Sequence, residues 1–482
     1  MKKFFCLLFI SLSLVACSKE KEFKLPTTHV FGLSNGLKVT VMEDHSLPEV
    51  FFHTYFPVGE VDLYADQTGL GLFLATLLIE GGAASYSRES FAKATEQLGA
   101  SLSASASYEY FSYEGRALSK DLKNYLSLYR VPLVEAAFEQ KEFDRIKRDI
   151  LSGLEQSRDY PETVLNEYFF DLLFSPHPYG RPLSGYTSTV KRFRRSDVLR
   201  LYEEWIKPNG AWMYVVGDVD PKEIKDLLED QLSSWKGYIK AKPKYLHPQI
   251  HEPKTILLID KPDATQSQIA VGIPSVPISN RHYLPLKVSA QAFGGRFGSI
   301  LNQTLRVEKG LTYGASSGLM ALKDLGGFIV QTSTNTETTK EVVSLLIQLT
   351  TALVEKGLTE SQLQDSKQYL MGHFPLGVET TDVIAQQIFL INFYQLPPNY
   401  LQTYRQSVGK ITEEMILKGL ETIPLSQMVI AVIGNGKVLE QELKSLGPVK
   451  VRKYTEPLEP PSMTPVVEVA HSSPAGSHHD GY

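Results

Sequence analysis

Only two cysteines occur in 482 residues, Cys6 and Cys17. Both lie at the extreme N-terminus, which excludes a disulfide framework in the body of the chain. Beyond residue 17 there is no run of 18 or more apolar residues, which excludes a further membrane-spanning helix. Basic residues are not in excess: 49 Lys and Arg stand against 54 Asp and Glu, a net charge of −5. A nucleic-acid binder would carry the opposite imbalance. The histidines are scattered. His29, His45, His53, His177, His247, His251, His282 and His373 show no metal-ligand spacing, and His471, His478 and His479 lie in a tail where metal binding is adventitious. The most informative absence is in residues 68–85, TGLGLFLATLLIEGGAAS. From Leu70 to Ile79 no side chain can hold a metal or move a proton at neutral pH. Periodicity alone does not separate strand from helix here, but length, leucine content and the Gly81-Gly82 stop favour a buried helix with a glycine C-cap.

What is present begins with a leader. Lys2 and Lys3 precede an apolar run, Phe4 to Val15, that is too short to span a bilayer. It ends in Leu14-Val15-Ala16-Cys17, which resembles a bacterial lipobox, with cleavage before Cys17 and acylation of its sulfur. The alternative is an ordinary signal peptide with a chance cysteine. Residues 1–16 are thus expected to be a lipoprotein signal peptide and 17–25 a polar tether. Without Lys2 and Lys3 the mature chain has 47 basic and 54 acidic residues. It is expected in the bacterial cell envelope, lipid-anchored, and, because Ser18 is not aspartate, at the outer membrane facing the periplasm.

The body reads as an α+β chain built twice. Asn35-Gly36 is a hairpin signal between alternating strands. The apolar helix follows, then a serine-capped helix at 87–98, a strand at 101–113, a long charged helix at 131–156, and a buried strand, WMYVVGDV, at 212–219. In the second half, strands are expected at 256–260 and 268–273, and an apolar helix at 288–293 stops at Gly294-Gly295. Leu353-Val354-Glu355 is read as opening a helix that matches Leu133-Val134-Glu135, and MVIAVIG at 428–434 matches the strand ending in Gly217. The three landmarks repeat at offsets of 213, 220 and 217 residues. The domains expected are 26–235 and 254–455, joined by a basic, proline-bearing linker at 236–253, with a disordered Pro/Ser-rich tail at 456–482.

These landmarks resemble the pitrilysin/insulinase family of zinc metallopeptidases, whose mitochondrial processing peptidases are heterodimers. The matching pieces, in order, are LSNGLKV at 33–39, GLGLFLATLLIEGG at 69–82, LGASLSAS at 98–105, HPYGRPLSG at 177–185, KPNGAWMYVVGDVD at 207–220 and GGRFGSILNQTLRVEKGLTYG at 294–314. The resemblance implies two duplicated α/β sandwich domains forming half of a clam-shell. It also implies an inverted H-x-x-E-H motif on the apolar helix, with two histidine ligands, a glutamate base and a distant glutamate ligand. Laid on this chain, the histidine positions hold Leu72 and Thr76, the base position Ala75, and the distant ligand position Gly153. Neighbouring Glu155 is one helical step out of register and reads as a solvated carboxylate; His177 reads as part of a structural loop. In the second half Arg306 and Tyr313 match a family pair that reaches the substrate near the zinc. There an arginine fork holds a carbonyl or carboxylate and a tyrosine hydroxyl donates to an oxyanion. Alternatively, Arg306 pairs with Glu308 or Asp324 and Tyr313 is core.

The leading expectation is a non-catalytic subunit that binds no metal or cofactor itself. It would supply Arg306 and Tyr313 to a homologous, zinc-bearing partner that hydrolyses peptides. The competing expectations are a lipid-anchored peptide-binding or scaffold protein, and a peptidase with an unrecognised site.

Overall fold

The computed structural model describes residues 23–240 and 255–461. The expected leader, Cys17 and most of the expected linker and tail lie outside the described residues. The first half contains strands Thr28–Gly32 (β1), Lys38–Glu43 (β2), Glu49–Phe56 (β3), Ser101–Ala106 (β4), Phe111–Leu118 (β5) and Trp212–Gly217 (β6). Its helices are Leu70–Glu80 (α1), Arg88–Gln97 (α2), Leu122–Val134 (α3), Gln140–Gln156 (α4), Pro161–Phe174 (α5), Thr187–Arg192 (α6), Arg195–Trp205 (α7) and Pro221–Leu232 (α8). The second half contains strands Ile256–Asp260 (β7), Gln266–Ser275 (β8), Ala315–Ala321 (β9), Gly326–Asn335 (β10), Val429–Gly434 (β11) and Val449–Lys453 (β12). Its helices are Tyr283–Gly294 (α9), Thr339–Lys356 (α10), Glu360–His373 (α11), Thr381–Phe393 (α12), Tyr400–Gly409 (α13), Glu413–Leu420 (α14) and Gly436–Leu443 (α15). No single helix among the described residues is long and apolar enough to cross a membrane.

The sheets state the duplication directly. Their strand orders are β1-β2-β6-β3-β5-β4 and β12-β7-β11-β8-β10-β9. Five strands correspond one to one, including the parallel pairs β2/β6 and β7/β11. The sixth does not. In the first sheet it comes from the N-terminal hairpin, antiparallel to β2; in the second it comes from the C-terminal end, parallel to β7.

Local chemistry explains most boundaries. Helix α1 buries Leu70, Phe73, Leu74, Leu77 and Leu78 and stops before Gly82, whose φ of +73° suits the left-handed C-cap expected there. Ser87 caps α2 by accepting the Ser90 N–H at 3.2 Å. Three expectations need correction. The strand expected over 101–113 is a hairpin, because the Ser107 hydroxyl accepts the Glu109 and Tyr110 N–H groups and donates to the Tyr110 carbonyl, closing a turn between β4 and β5. The long helix expected over 131–156 is two helices: Phe138 adopts φ +47°, and Ala137 and Glu139 donate instead to the Gly82 and Gly81 carbonyls. Leu353-Val354-Glu355 closes α10 and does not open a helix; Leu133-Val134 likewise closes α3, so the match between halves stands.

Each sheet carries its own helices on one face and a helix of the other half on the opposite face. From the first half, α5 packs on β8 and β11, so closely that a Cβ on Gly272 would lie 2.6 Å from the Phe169 ring. From the second half, α12 packs on β6, and Phe389 stacks on Tyr55 with centroids 3.7 Å apart. A buried polar contact joins the halves: Glu109 accepts the Tyr179 hydroxyl and, at 2.9 Å, the Lys323 N–H. Residues just past β12 also bind the first half. Arg158 donates to the Tyr454 carbonyl and, at 3.0 Å, to that of Glu456, which also accepts the Tyr168 hydroxyl at 2.5 Å.

Candidate functional site

Helices α1 and α4 pack against each other, with α1 also lying on the edge strand β4. Leu72, Ala75 and Thr76 are on α1 and Gly153 is on α4. Leu72 and Thr76 are half-buried, Ala75 is buried, and Gly153 is exposed with open space where a Cβ would stand. The Thr76 hydroxyl donates back to the Leu72 carbonyl at 3.1 Å and is used within the helix. A zinc ion needs three protein donors such as imidazole or carboxylate, and these four side chains provide none. Among the described residues no group of three or more His, Cys, Asp or Glu converges on a common point. The donor set on α1 and α4 therefore does not fit zinc.

The nearest carboxylates are otherwise engaged. Arg145 of α4 donates to Glu80 of α1 at 2.7 Å, to Glu142 at 2.8 Å and to Asp149 at 3.0 Å. Arg145 thus sits in an ion-pair network that ties α4 to α1 through Glu80. Glu155 is exposed on α4. His177 is buried; its Nδ1 accepts the Tyr179 N–H at 3.2 Å and its Nε2 lies 3.7 Å from Asp324 in the other half. That placement suits a structural loop.

The segment between α9 and β9 is built differently. Arg306 is on a π-helical turn, Asn302–Glu308, and is exposed. It makes no ion pair among the described residues; its guanidinium lies over the Phe297 ring at 4.8 Å. The alternative pairing with Glu308 or Asp324 is absent. Tyr313 is 87 % exposed, so it is not core. Phe297 and Val307 are exposed as well, at 65 % and 53 %. The loop carrying these groups is nevertheless held firmly. The buried Asn302 amide donates to the Ala315 carbonyl at 2.8 Å and accepts the Ala315 N–H at 3.0 Å, and Leu311 donates to Leu305 at 2.8 Å. Sequence reasoning missed Asn302 and Phe297; both stand in the run GGRFGSILNQ, whose glycines drew attention to the loop without singling out either residue. No hydrogen bond or ring contact among the described residues ties Arg306 or Tyr313 to α1.

Comparison with known proteins now decides the family. Residues 39–187 match the model described as "Insulinase (Peptidase family M16)", and residues 192–370 match "Peptidase M16 inactive domain". Together they cover most of the chain. The chain belongs to the insulinase, or M16, peptidase family. Among M16 relatives, an "Uncharacterized zinc protease YmxG" of Bacillus subtilis is 21 % identical over 352 residues, 73 % of this chain and 85 % of that protein. A "Non-peptidase homolog YmxG" of Helicobacter pylori is 23 % identical over 411 residues, 84 % of this chain and 93 % of that one. A solved M16 inactive domain from Pseudomonas fluorescens superposes with a TM-score of 0.76 at 22 % identity, covering 85 % of this chain and 98 % of its own. The M16 fold and its duplication are thereby established for this chain.

Proposed function

We propose that this M16 chain is a non-catalytic subunit whose second half presents Arg306 and Tyr313 to peptide bound at the zinc site of a homologous partner. The observation that carries the reading is the contrast between the halves. Helix α1 has no donor at any position the family uses for zinc, whereas the Arg306–Tyr313 loop is exposed, free of carboxylate partners and anchored by Asn302. A tyrosine hydroxyl left almost wholly in solvent costs no internal hydrogen bond to redirect toward a developing oxyanion. A guanidinium stacked on Phe297 keeps its donors free for a peptide carbonyl. The Helicobacter pylori relative, named a non-peptidase homolog, supports the same reading. The chain would sit at the envelope membrane through an acylated Cys17.

Reconstitution with a zinc-bearing M16 partner tests this. Tyr313→Phe should lower kcat by on the order of 10²–10³ without changing zinc content or assembly. Arg306→Ala should also raise KM, since it would hold peptide in ground and transition states alike. The mature chain alone should cleave no unfolded peptide. Full activity in a well-folded Tyr313→Phe complex would reduce the chain to a scaffold.

A further inference from the structure

A cavity of about 540 Å³ opens in the second half between α9, α11, α12 and α13, and no residue of the Arg306–Tyr313 loop lines it. Small-molecule sites fall in this size range. Its walls are chiefly aromatic and aliphatic, and no aspartate or glutamate lines it. Lys287 lines it nonetheless. The ammonium lies 5.2 Å from the Tyr404 ring and 6.0 Å from that of Tyr283, and it has no hydrogen bond or carboxylate partner among the described residues. Burial alone lowers its pKa. On the same wall, one helical turn along α9, the Gln291 amide nitrogen is buried without an acceptor. His373, at the end of α11, adds a third potential donor and no negative charge.

A half-buried cation held only by ring faces is costly unless an anion joins it. A buried amide nitrogen without an acceptor adds to that cost. Both are relieved at once by two oxygens of a single carboxylate, one facing Lys287 and one facing Gln291. One compact cation is too little for a di- or triphosphate. The remaining walls, Phe374 among them, would receive an apolar body. The geometry points to a binding site for a monoanionic amphiphile, a carboxylate carried on an aliphatic or aromatic body. Fatty acids and aromatic acids share this chemistry.

Calorimetric titration of the mature full-length protein with decanoate, 3-phenylpropionate and the neutral control decanol tests the assignment. At least one carboxylate should bind about tenfold or more tighter than decanol, as hydrogen bonding to a charged partner allows. Whichever binds tighter identifies the aliphatic or the aromatic source. Lys287→Met, nearly equal in length, should lose that advantage while keeping its affinity for decanol, and Lys287→Arg should retain it. Failure of wild type to bind either carboxylate overturns the proposal, and so does a Lys287→Met protein that binds carboxylate as tightly as wild type. Should Lys287→Met not fold, the wild-type comparison decides: equal affinity for decanoate and decanol overturns it.

Discussion

Phe389 offers a direct test of the exchange of helices between halves. It belongs to the second half by sequence, but its ring is 1 % exposed on the sheet of the first. It stacks on Tyr55 at 3.7 Å with planes 6° apart, and meets Tyr110 edge-on at 5.1 Å and Trp212 at 5.7 Å. Phe389→Ala removes a fully buried ring, a change that costs roughly 3–5 kcal/mol in well-packed cores. The stacked pair with Tyr55 adds about 0.5–1.5 kcal/mol beyond its area, which places this site toward the upper end. All three tryptophans, Trp205, Trp212 and Trp235, lie in the first half, so indole emission reports that half alone. With urea m-values of a few kcal/mol per molar, the tryptophan-detected midpoint should fall by about 1 M or more. If the sheet of the first half were complete without α12, that midpoint would not move, whatever happened to the second half. An unchanged midpoint in a soluble Phe389→Ala protein would therefore refute the argument that each half is finished only by the other.

Two further outcomes are expected. Burial pushes the pKa of Glu60 up to about 8 despite the nearby charge of Arg181, against 4.5 for an exposed glutamate. The folded chain keeps this proton where the unfolded chain has lost it, so its contribution to stability is full below about pH 4.5 and is lost as pH rises through 8, at up to roughly 1.4 kcal/mol per pH unit. Asp171, raised to about 6 by burial, steepens only the lower part of that window. Glu60→Gln keeps an acceptor for the Gly69 N–H and should flatten the fall in melting temperature between pH 6 and 8; an unaltered slope counts against the assignment. For the lipobox, Cys17→Ser should release the chain from membranes or stall its processing, and a processed Cys17→Ser protein still fractionating with membranes would remove the anchor.

Features legible in the sequence were those set by residues close together in it. The apolar run of α1 with its glycine stop, the Asn35-Gly36 hairpin and the Ser87 cap all appear where local chemistry put them. The duplication was legible because insertions between the halves are few enough to keep the landmarks near one offset. What failed depended on distant backbone. Nothing near Phe138 announces that residues 137 and 139 will pair with the turn after α1 and break a helix that charge patterning alone would continue. The exchange of α5 and α12 was equally hidden: ETVLNEYFFDLLF and DVIAQQIFLINF are rich in apolar residues, but no local pattern names the sheet they will cover. The bond from Arg145 to Glu80 was hidden in the same way, because the two residues lie 65 apart in the chain.

The same separation explains how an M16 domain can lack every zinc donor and keep its fold. Packing of α1 rests on Phe73, Leu74, Leu77 and Leu78, none of which stands at a position the resemblance assigns to metal binding. Those positions are Leu72 and Thr76, half-buried, and Ala75, small enough to be enclosed. On α4 the resemblance assigns the distant ligand position to Gly153, where a Cβ would meet nothing within 4 Å. Cohesion between α1 and α4 comes instead from Arg145 bound to Glu80, with Glu142 and Asp149 of α4 holding the same guanidinium, and from Phe73 against Phe143 at 5.1 Å. Side chains without donor atoms at these positions thus carry little structural cost. The Arg306–Tyr313 loop is anchored by Asn302 within the second half and does not depend on those side chains. Placing histidines at Leu72 and Thr76 with glutamates at Ala75 and Gly153 should therefore be tolerated at Gly153, Leu72 and Thr76. Ala75 is where it should fail, because a glutamate there enters a space already closed by the core.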